Sequence, residues 1–139
     1  MPYDPVLVQP MREELTALDV EELLDAGQVE DFLSRDGTKM VFINSVCGCA
    51  AGQARPALRI ALQHETKPDF VATVFAGQDL DATARVRAAF SDVPPSSPSA
   101  ALLDAEGNVV WFLPRHQIES RDAQTLAFEI VGAFDKHCA

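Results

Sequence analysis

One segment near the middle sets the architecture of this 139-residue chain, and it reads Met40-Val41-Phe42-Ile43-Asn44-Ser45-Val46-Cys47-Gly48-Cys49. Residues 40–46 are apolar, rich in strand-forming types and short, which predicts a strand buried on both faces. Residues from Ala50 to about His64 are rich in helix formers. The two cysteines therefore stand at a turn between a buried strand and a helix.

The sequence after this helix predicts three more strands and two more helices. Their predicted positions are a strand at 70–75, a helix from a cap at Asp79 to about Phe90, a hairpin of 100–103 and 109–113 around Asp104–Asn108, and a last helix capped by Asp122. Its residues Leu126, Ile130 and Phe134 recur at four-residue spacing, which predicts that they face the core.

Before the first strand, the polar–apolar pattern from Pro10 towards Arg35 predicts one helical segment that stops at Asp36-Gly37. Without it, the order of elements is β-α-β-α-β-β-α, and strand–helix–strand units favour parallel neighbours with right-handed crossovers. The predicted fold class is α/β: a thioredoxin-like fold with a four-stranded mixed sheet flanked by helices. Residues 1–139 are predicted to form a single domain, in which residues 1–37 are an N-terminal helical extension.

Composition and charge exclude several classes of partner. Hydrophobic residues make up 47% of the chain, as in globular proteins, and 21 Asp and Glu against 11 Lys and Arg give a net charge of −10. This balance argues against nucleic acid and against an anionic membrane surface as partners. No apolar run is long enough to span a bilayer, and residues 1–5 lack the features of a secretory signal. We therefore predict a cytoplasmic protein.

The spacing and position of the cysteines indicate redox chemistry. Three cysteines, an odd number, do not suggest a disulfide framework. Free N–H groups and the helix dipole at the turn lower the pKa of a thiol, and the thiolate is the species that attacks disulfides. Gly48 gives the backbone the freedom that ring closure between Cys47 and Cys49 requires. Because this ring is smaller than that of Cys-x-x-Cys, we expect a labile pair suited to exchange and isomerisation.

Two other interpretations of the pair stay open. The first is two buried and inert thiols, although cysteines flanked by Gly and Ala at such a turn seldom serve packing. The second is a metal site, but zinc or a cluster usually needs four ligands. The residues left to complete one are Cys138, His64, His116 and His137, and they show no ligand spacing.

Three residues outside the turn are candidate auxiliaries. Pro98 directly precedes the third predicted strand, and this position favours a cis bond that exposes backbone groups to a substrate strand, whereas an ordinary trans loop proline is the alternative. Arg55 is predicted either to stabilise the thiolate or to form a weak surface ion pair. Cys138, one residue from the end, is a spare exposed thiol, a distant resolving partner or a site of intermolecular disulfides.

With these residues in view, the chain resembles the bacilliredoxin family. The matching segments are Asn44-Ser45-Val46-Cys47-Gly48-Cys49-Ala50-Ala51-Gly52-Gln53-Ala54-Arg55-Pro56-Ala57, Thr73-Val74-Phe75-Ala76-Gly77-Gln78-Asp79, Pro94-Pro95-Ser96-Ser97-Pro98-Ser99, Phe112-Leu113-Pro114-Arg115-His116, and the terminal 8–15 and 133–138. They follow one another in order along essentially the whole chain. The resemblance implies a thioredoxin-like fold and thiol–disulfide exchange, with Cys47 as nucleophile and Cys49 as resolving thiol.

The resemblance further implies removal of bacillithiol from bacillithiolated client proteins. The expected partners are client proteins carrying mixed disulfides, a low-molecular-weight thiol as cosubstrate, and a separate reductase. We expect no organic cofactor, since the chain has no Gly-rich phosphate loop. The alternatives are a general protein disulfide isomerase or weak reductase and, from another class, a thiol-based metal carrier or a redox-sensing interaction module.

Overall fold

A computed structural model describes residues 2–90 and 92–139. Its elements, in chain order, are α1 (Pro5–Thr16), β1 (Glu21–Glu22), α2 (Ala26–Leu33), β2 (Lys39–Asn44), a π-helical turn (Ala50–Ala54), α3 (Arg55–Ala61), β3 (Phe70–Phe75), α4 (Leu80–Ala89), β4 (Ser99–Leu103), β5 (Val109–Leu113), α5 (Arg115–Glu119) and α6 (Ala123–His137).

In the described residues, the sheet has five strands in the order β1-β3-β2-β4-β5. Strand β3 runs parallel to β2 and to β1, whereas β4 is antiparallel to both β2 and β5. The four predicted strands are all present, and the predicted hairpin is formed by β4 and β5, with Gly107 at a φ of +87° in its loop. The prediction of four strands was wrong by one, because β1 was not recognised.

The N-terminal segment differs most from its prediction. Helix α1 begins at Pro5, where the Asp4 side chain accepts a hydrogen bond from the Val6 amide, so Pro10 lies inside the helix and not at its start. Asp19 then adopts a φ of +64°, which ends helical continuation. The two-residue strand β1 follows and pairs with β3 before α2 begins. The single helical segment is therefore two helices separated by a strand.

Strand β2 lies at the centre of the core, with all six of its residues buried. Successive side chains of a strand point to opposite faces. Met40 and Phe42 pack on the face covered by α1, α3 and α6. Val41 and Ile43 pack on the other face, against α2 and α4. This two-sided burial is what the continuous apolar run predicts.

The predicted helix caps have different outcomes. Asp122 caps α6 and accepts a hydrogen bond of 2.7 Å from the Thr125 amide, as predicted. Asp79 lies at the start of α4, but its side chain makes no capping bond. Its two carboxylate oxygens instead accept from the Arg12 guanidinium at 2.8 and 2.9 Å. This bidentate pair between two charged groups ties α1 to α4.

Helix α6 provides a matched test of the core. Phe134 is fully buried, as predicted with Leu126 and Ile130, whereas Phe128 on the same helix is 83% exposed. Phe134→Ala should lower the free energy of unfolding by about 3–5 kcal/mol, because it leaves a cavity. Phe128→Ala should change it by less than about 0.5 kcal/mol. Urea denaturation of both variants measures the difference, and similar losses would contradict the burial of Phe134 in the core.

Candidate active site

The loop between β2 and the helix is held by a short chain of hydrogen bonds. The Ser45 amide donates to Asn44 Oδ1, and the Cys47 amide donates to Ser45 Oγ, both at 2.9 Å. The Asn44 Nδ2 group donates to the Met11 carbonyl of α1 at 3.3 Å. The end of β2 therefore fixes the backbone of Cys47 through two side chains, and α1 buttresses the same loop.

Arg55 adds two hydrogen bonds to this loop from its buried side. Its Nη1 donates to Asn44 Oδ1 and to the Ser45 carbonyl, each at 2.9 Å, and its Nε lies 3.2 Å from Glu14 Oε2 of α1. The side chain is only 2% exposed. The prediction of a surface ion pair was wrong, because the guanidinium is buried under the loop. Its contacts are with residues that support the loop before Cys47, and stabilisation of the thiolate by Arg55 stays a prediction.

The two thiols differ in exposure. Both cysteines are free, and their Sγ atoms lie 2.8 Å apart. Cys47 is half-buried, whereas Cys49 is only 8% exposed because helical backbone starting at the turn directs it into the core. Gly48 between them is exposed, its φ is not positive, and a Cβ there would meet nothing within 4 Å. With the thiols free, the turn therefore makes no use of glycine's extra conformational freedom.

The thiols also differ in acidity. The pKa of Cys47 is lowered below its ordinary value, chiefly by the hydrogen bond from the Cys49 thiol and further by the Cys49 and Ala50 amides and the Arg115 charge. Burial is the main cause that raises the pKa of Cys49 to about 11, and its contact with Cys47 adds to the effect. The more exposed thiol is thus the one that ionises first.

Arg115, the cation that acts on both thiols, was missed in the sequence. It begins the short helix α5, which docks on the π-helical turn directly after the cysteines. The side-chain Nε2 of Gln53 in that turn donates to three carbonyls at and just after the end of α5, those of Ile118, Glu119 and Arg121, at 3.0, 3.1 and 2.6 Å. This clamp fixes α5, and therefore Arg115, relative to the thiols. The segment Phe112-Leu113-Pro114-Arg115-His116 counts in the sequence as a match to the family, but nothing in it assigns a role to Arg115.

Pro98 lies beside the end of β2. Ile43 pairs with Ser99, so the antiparallel register continued by one residue places Pro98 opposite Asn44. The Ser97–Pro98 peptide bond is cis, as the position of this proline favours. The Arg115 amide donates to Ser96 Oγ at 3.3 Å, which joins α5 to the loop before Pro98. The cysteine turn, the loop before β4 and α5 therefore meet at one edge of the sheet.

Cys138 does not belong to this site. Its side chain contacts that of Thr38, which directly precedes β2, whereas Cys47 follows the far end of that strand. Six residues of strand separate the two ends by about 20 Å. A role for Cys138 as a resolving thiol within the same chain was therefore wrong. Burial is the main cause that raises its pKa.

The described residues also bear on metal binding and on membrane-spanning helices. Within 2–90 and 92–139, no group of three or more His, Cys, Asp and Glu side chains is arranged to hold a metal ion. Over the same ranges, no helix has both the length and the apolar character needed to cross a membrane.

The fold and the thiol pair define a class of protein, and comparison with known proteins identifies the family. A solved structure described as having a thioredoxin fold superposes with a TM-score of 0.58 at 16% identity, over 84% of this chain and 93% of its own. The predicted thioredoxin-like fold is thereby confirmed. The model of the disulphide isomerase family matches residues 3–138.

Curated relatives agree with one another in name. A bacilliredoxin of Shouchella clausii is 51% identical over 95% of this chain and 91% of its own length. A bacilliredoxin of Geobacillus kaustophilus is 52% identical over 95% and 92%, respectively. The chain belongs to the bacilliredoxin family, and its class is that of the thiol–disulfide oxidoreductases.

The hydrogen bond between the thiols can be tested by two substitutions of Cys49. Cys49→Ala removes the donor and should raise the pKa of Cys47, whereas Cys49→Ser keeps a hydroxyl donor and should raise it less. The pH dependence of thiolate absorbance and of alkylation by iodoacetamide measures both. An equal pKa in the two variants would show that this bond is not the main cause of the acidity of Cys47.

The effect of Arg115 can be tested in the same way. Arg115→Gln removes a positive charge near the Cys47 thiolate and should raise the pKa of Cys47, so a smaller fraction is ionised at neutral pH. Arg85→Gln is the matched control, because Arg85 on α4 pairs with Glu30 and also loses one positive charge. Titration of alkylation rates should show a shift in the first variant only; equal shifts would mean that net charge alone is responsible.

Proposed function

We propose that this protein resolves mixed disulfides between a low-molecular-weight thiol and client proteins, with Cys47 as nucleophile and Cys49 as resolving thiol. The observation that carries the proposal is the asymmetry of the pair. The half-buried thiol has a lowered pKa, the fully buried thiol beside it has a raised pKa, and their sulfur atoms lie 2.8 Å apart. An exchange enzyme needs this arrangement of an attacking sulfur and a second thiol within reach.

In the first step, the Cys47 thiolate attacks the small-thiol sulfur of the mixed disulfide. A disulfide bond forms between Cys47 and the small thiol, the original disulfide breaks, and the client cysteine leaves as a thiolate that takes up a proton. No net oxidation or reduction occurs, because one disulfide replaces another. The exposed Gly48 and the open space around it leave room for the client to approach Cys47.

In the second step, Cys49 or a second molecule of small thiol attacks the bond at Cys47. Attack by Cys49 forms the Cys47–Cys49 disulfide and releases the small thiol. The contact with Cys47 and its negative charge both raise the pKa of Cys49. Both causes vanish once Cys47 carries a disulfide, so the pKa of Cys49 falls when its thiolate is needed. Two molecules of small thiol, which leave as their symmetric disulfide, or a separate reductase then supply the two electrons that restore both thiols. Attack by a second small thiol in place of Cys49 releases the Cys47 thiolate directly and forms the symmetric small-thiol disulfide.

Family membership supports bacillithiol as the small thiol, since the curated relatives are called bacilliredoxins. The proposed partners are client proteins that carry mixed disulfides, together with a separate reductase. The proposal involves no organic cofactor, because the small thiol is itself the cosubstrate. Reducing cytoplasm is the proposed compartment, where protein thiols are normally free.

Disulfide isomerisation or weak reduction of protein disulfides is the second candidate. The description of the matching family as disulphide isomerase favours it. The same two sulfur atoms would act, but the first disulfide attacked would join two protein cysteines. The trapped intermediate then contains a protein chain on Cys47 in place of a small molecule.

A trapping experiment tests the proposal and separates the two candidates. The Cys49→Ser variant is mixed with a client protein carrying bacillithiol in a disulfide, and intact mass is measured after acid quenching. We expect the mass of bacillithiol on Cys47 and the free client. Capture of the client itself would favour the isomerase, and clearance at the normal rate by a Cys47→Ser variant would contradict the assigned nucleophile. Cys138→Ser is the matched control and should behave like wild type.

A further inference from the structure

Arg55 is a cation that folding removes almost completely from water. Within residues 2–90 and 92–139, no hydrogen-bond acceptor is aligned with its buried Nε atom. The Glu14 carboxylate of α1 lies 3.2 Å from Nε, but the Glu14 side chain is 48% exposed. Burial of a charge is unfavourable, and a partly solvated partner offsets little of that penalty. The ion pair alone is therefore a weak reason for the burial of Arg55, and its hydrogen bonds show what it holds.

Arg55 sets the orientation of the Asn44 side-chain amide. Its Nη1 donates to Asn44 Oδ1 at 2.9 Å, while Asn44 Nδ2 donates to the Met11 carbonyl at 3.3 Å. If this amide were turned by 180°, its NH2 group would face the guanidinium and its oxygen would face the carbonyl. Donor would then meet donor, and acceptor would meet acceptor. Arg55 on one side and Met11 on the other therefore allow only one orientation of Asn44.

Ser45 is held at both ends of its backbone by the same two side chains. Its amide donates to Asn44 Oδ1, and its carbonyl accepts from Arg55 Nη1, each at 2.9 Å. These bonds orient Ser45 Oγ, which accepts from the Cys47 amide at 2.9 Å. Ser45 is buried, so water does not readily replace any of these contacts. A continuous path of hydrogen bonds therefore leads from the guanidinium to the backbone of Cys47.

The direction of the Cys47 amide affects how the turn presents the sulfur atom. Because this amide points to Ser45 Oγ, the backbone amides that act on the Cys47 sulfur are those of Cys49 and Ala50. Rotation of the peptide unit before Cys47 would move the sulfur relative to these two amides and to the Cys49 thiol. The orientation that Arg55 maintains is therefore also the orientation in which the thiolate meets its donors.

We propose that Arg55 is a positioning residue for the thiol exchange, which fixes the backbone of Cys47 through the end of β2. Asn44 and Ser45 transmit the effect, and Glu14 of α1 holds the guanidinium in place. The inference rests on the proposed function, since it concerns the nucleophile of the same reaction. It differs from an effect of the Arg55 charge on the thiolate, because positioning requires the hydrogen bonds and not the charge alone.

A double-mutant cycle separates these two roles. The background is Cys49→Ser with Cys138→Ser, in which Cys47 is the only thiol. Arg55→Met removes the charge and the hydrogen bonds, whereas Asn44→Ala removes the acceptor and leaves the charge. Each variant reacts with the neutral bis(2-hydroxyethyl) disulfide, so that Cys47 takes one half and the other half leaves as a thiolate. Intact mass gives the rate constants, and their pH dependence gives the pKa of Cys47.

We expect each single substitution to raise the pKa of Cys47 and to slow the reaction at neutral pH about tenfold, because either one breaks the same path of hydrogen bonds. The double variant should be no slower than the single variants, since the path is already broken. Arg55→Lys keeps the charge but lacks the planar fork, and should restore only part of the rate. An unchanged pKa in Asn44→Ala, or effects that add in the double variant, would overturn the positioning role.

Glu14→Ala tests the same proposal at a half-exposed position, where the fold is least affected. Loss of a negative charge acting through space would lower the pKa of Cys47. Positioning predicts the opposite sign, because the guanidinium loses the group that holds it and the loop loosens. The same disulfide reaction measures the shift, even where substitution of a buried residue prevents folding. A lowered or unchanged pKa would contradict the role assigned to the Arg55–Glu14 pair.

Val86→Ala is the matched control for a general loss of stability. Val86 is fully buried on the opposite face of the sheet, so its truncation should lower stability and leave the rate and the pKa of Cys47 unchanged. Equal slowing in this variant would mean that any weakened core has the same effect. The two proposals fail separately: client clearance with unaffected Arg55 variants rejects positioning alone, and slowed Arg55 variants without client clearance in the wild type reject the function alone.

Discussion

The central strand β2 is the constraint on which the rest of the structure depends. It is paired on both edges and buried on both faces, so its backbone groups bond to β3 and β4 and its side chains need helices on both sides. Pairing and burial together therefore hold the C-terminal end of β2 in place. Asn44, the last residue of β2, anchors Ser45, which anchors Cys47. The position of the candidate nucleophile is therefore a consequence of how the core is packed.

The chemistry of the pair follows from a single intervening residue. Because only Gly48 separates them, one sulfur remains half-buried and the other enters the core, and burial acts more strongly on the second. Their hydrogen bond then lowers the pKa of one thiol and raises that of the other. The same contact thus divides the roles between two chemically identical groups. Capture of a small thiol by Cys47 removes this contact, so the first step of the proposed reaction prepares the second.

Most elements could be predicted because their signals are local. The continuous apolar runs predict β2 and β3, and Gly107 predicts the hairpin. The cap at Asp122 and the spacing of Phe134 predict α6. The N-terminal segment could not be predicted in this way. Glu21 and Glu22 have no strand-like pattern, and they form β1 only because β3 offers an unpaired edge. Asp79 looks like a cap, but a guanidinium from a distant helix is the stronger partner.

The sequence by itself indicated the family, the class of fold and the two cysteines as the candidate reactive pair. Each of these depends on residue types and spacings within short segments, or on the order of those segments along the chain. Only the tertiary structure showed that the charge of Arg115 acts on the thiols. Arg55 is near Cys47 in sequence but is buried under the loop, whereas Arg115 is distant in sequence and is brought to the thiols by the Gln53 clamp. The tertiary structure also placed Cys138 near the start of β2, at the opposite end of this strand from Cys47. The physical reason is that charge and reactivity depend on distance through space, and packing sets that distance between segments far apart in the chain.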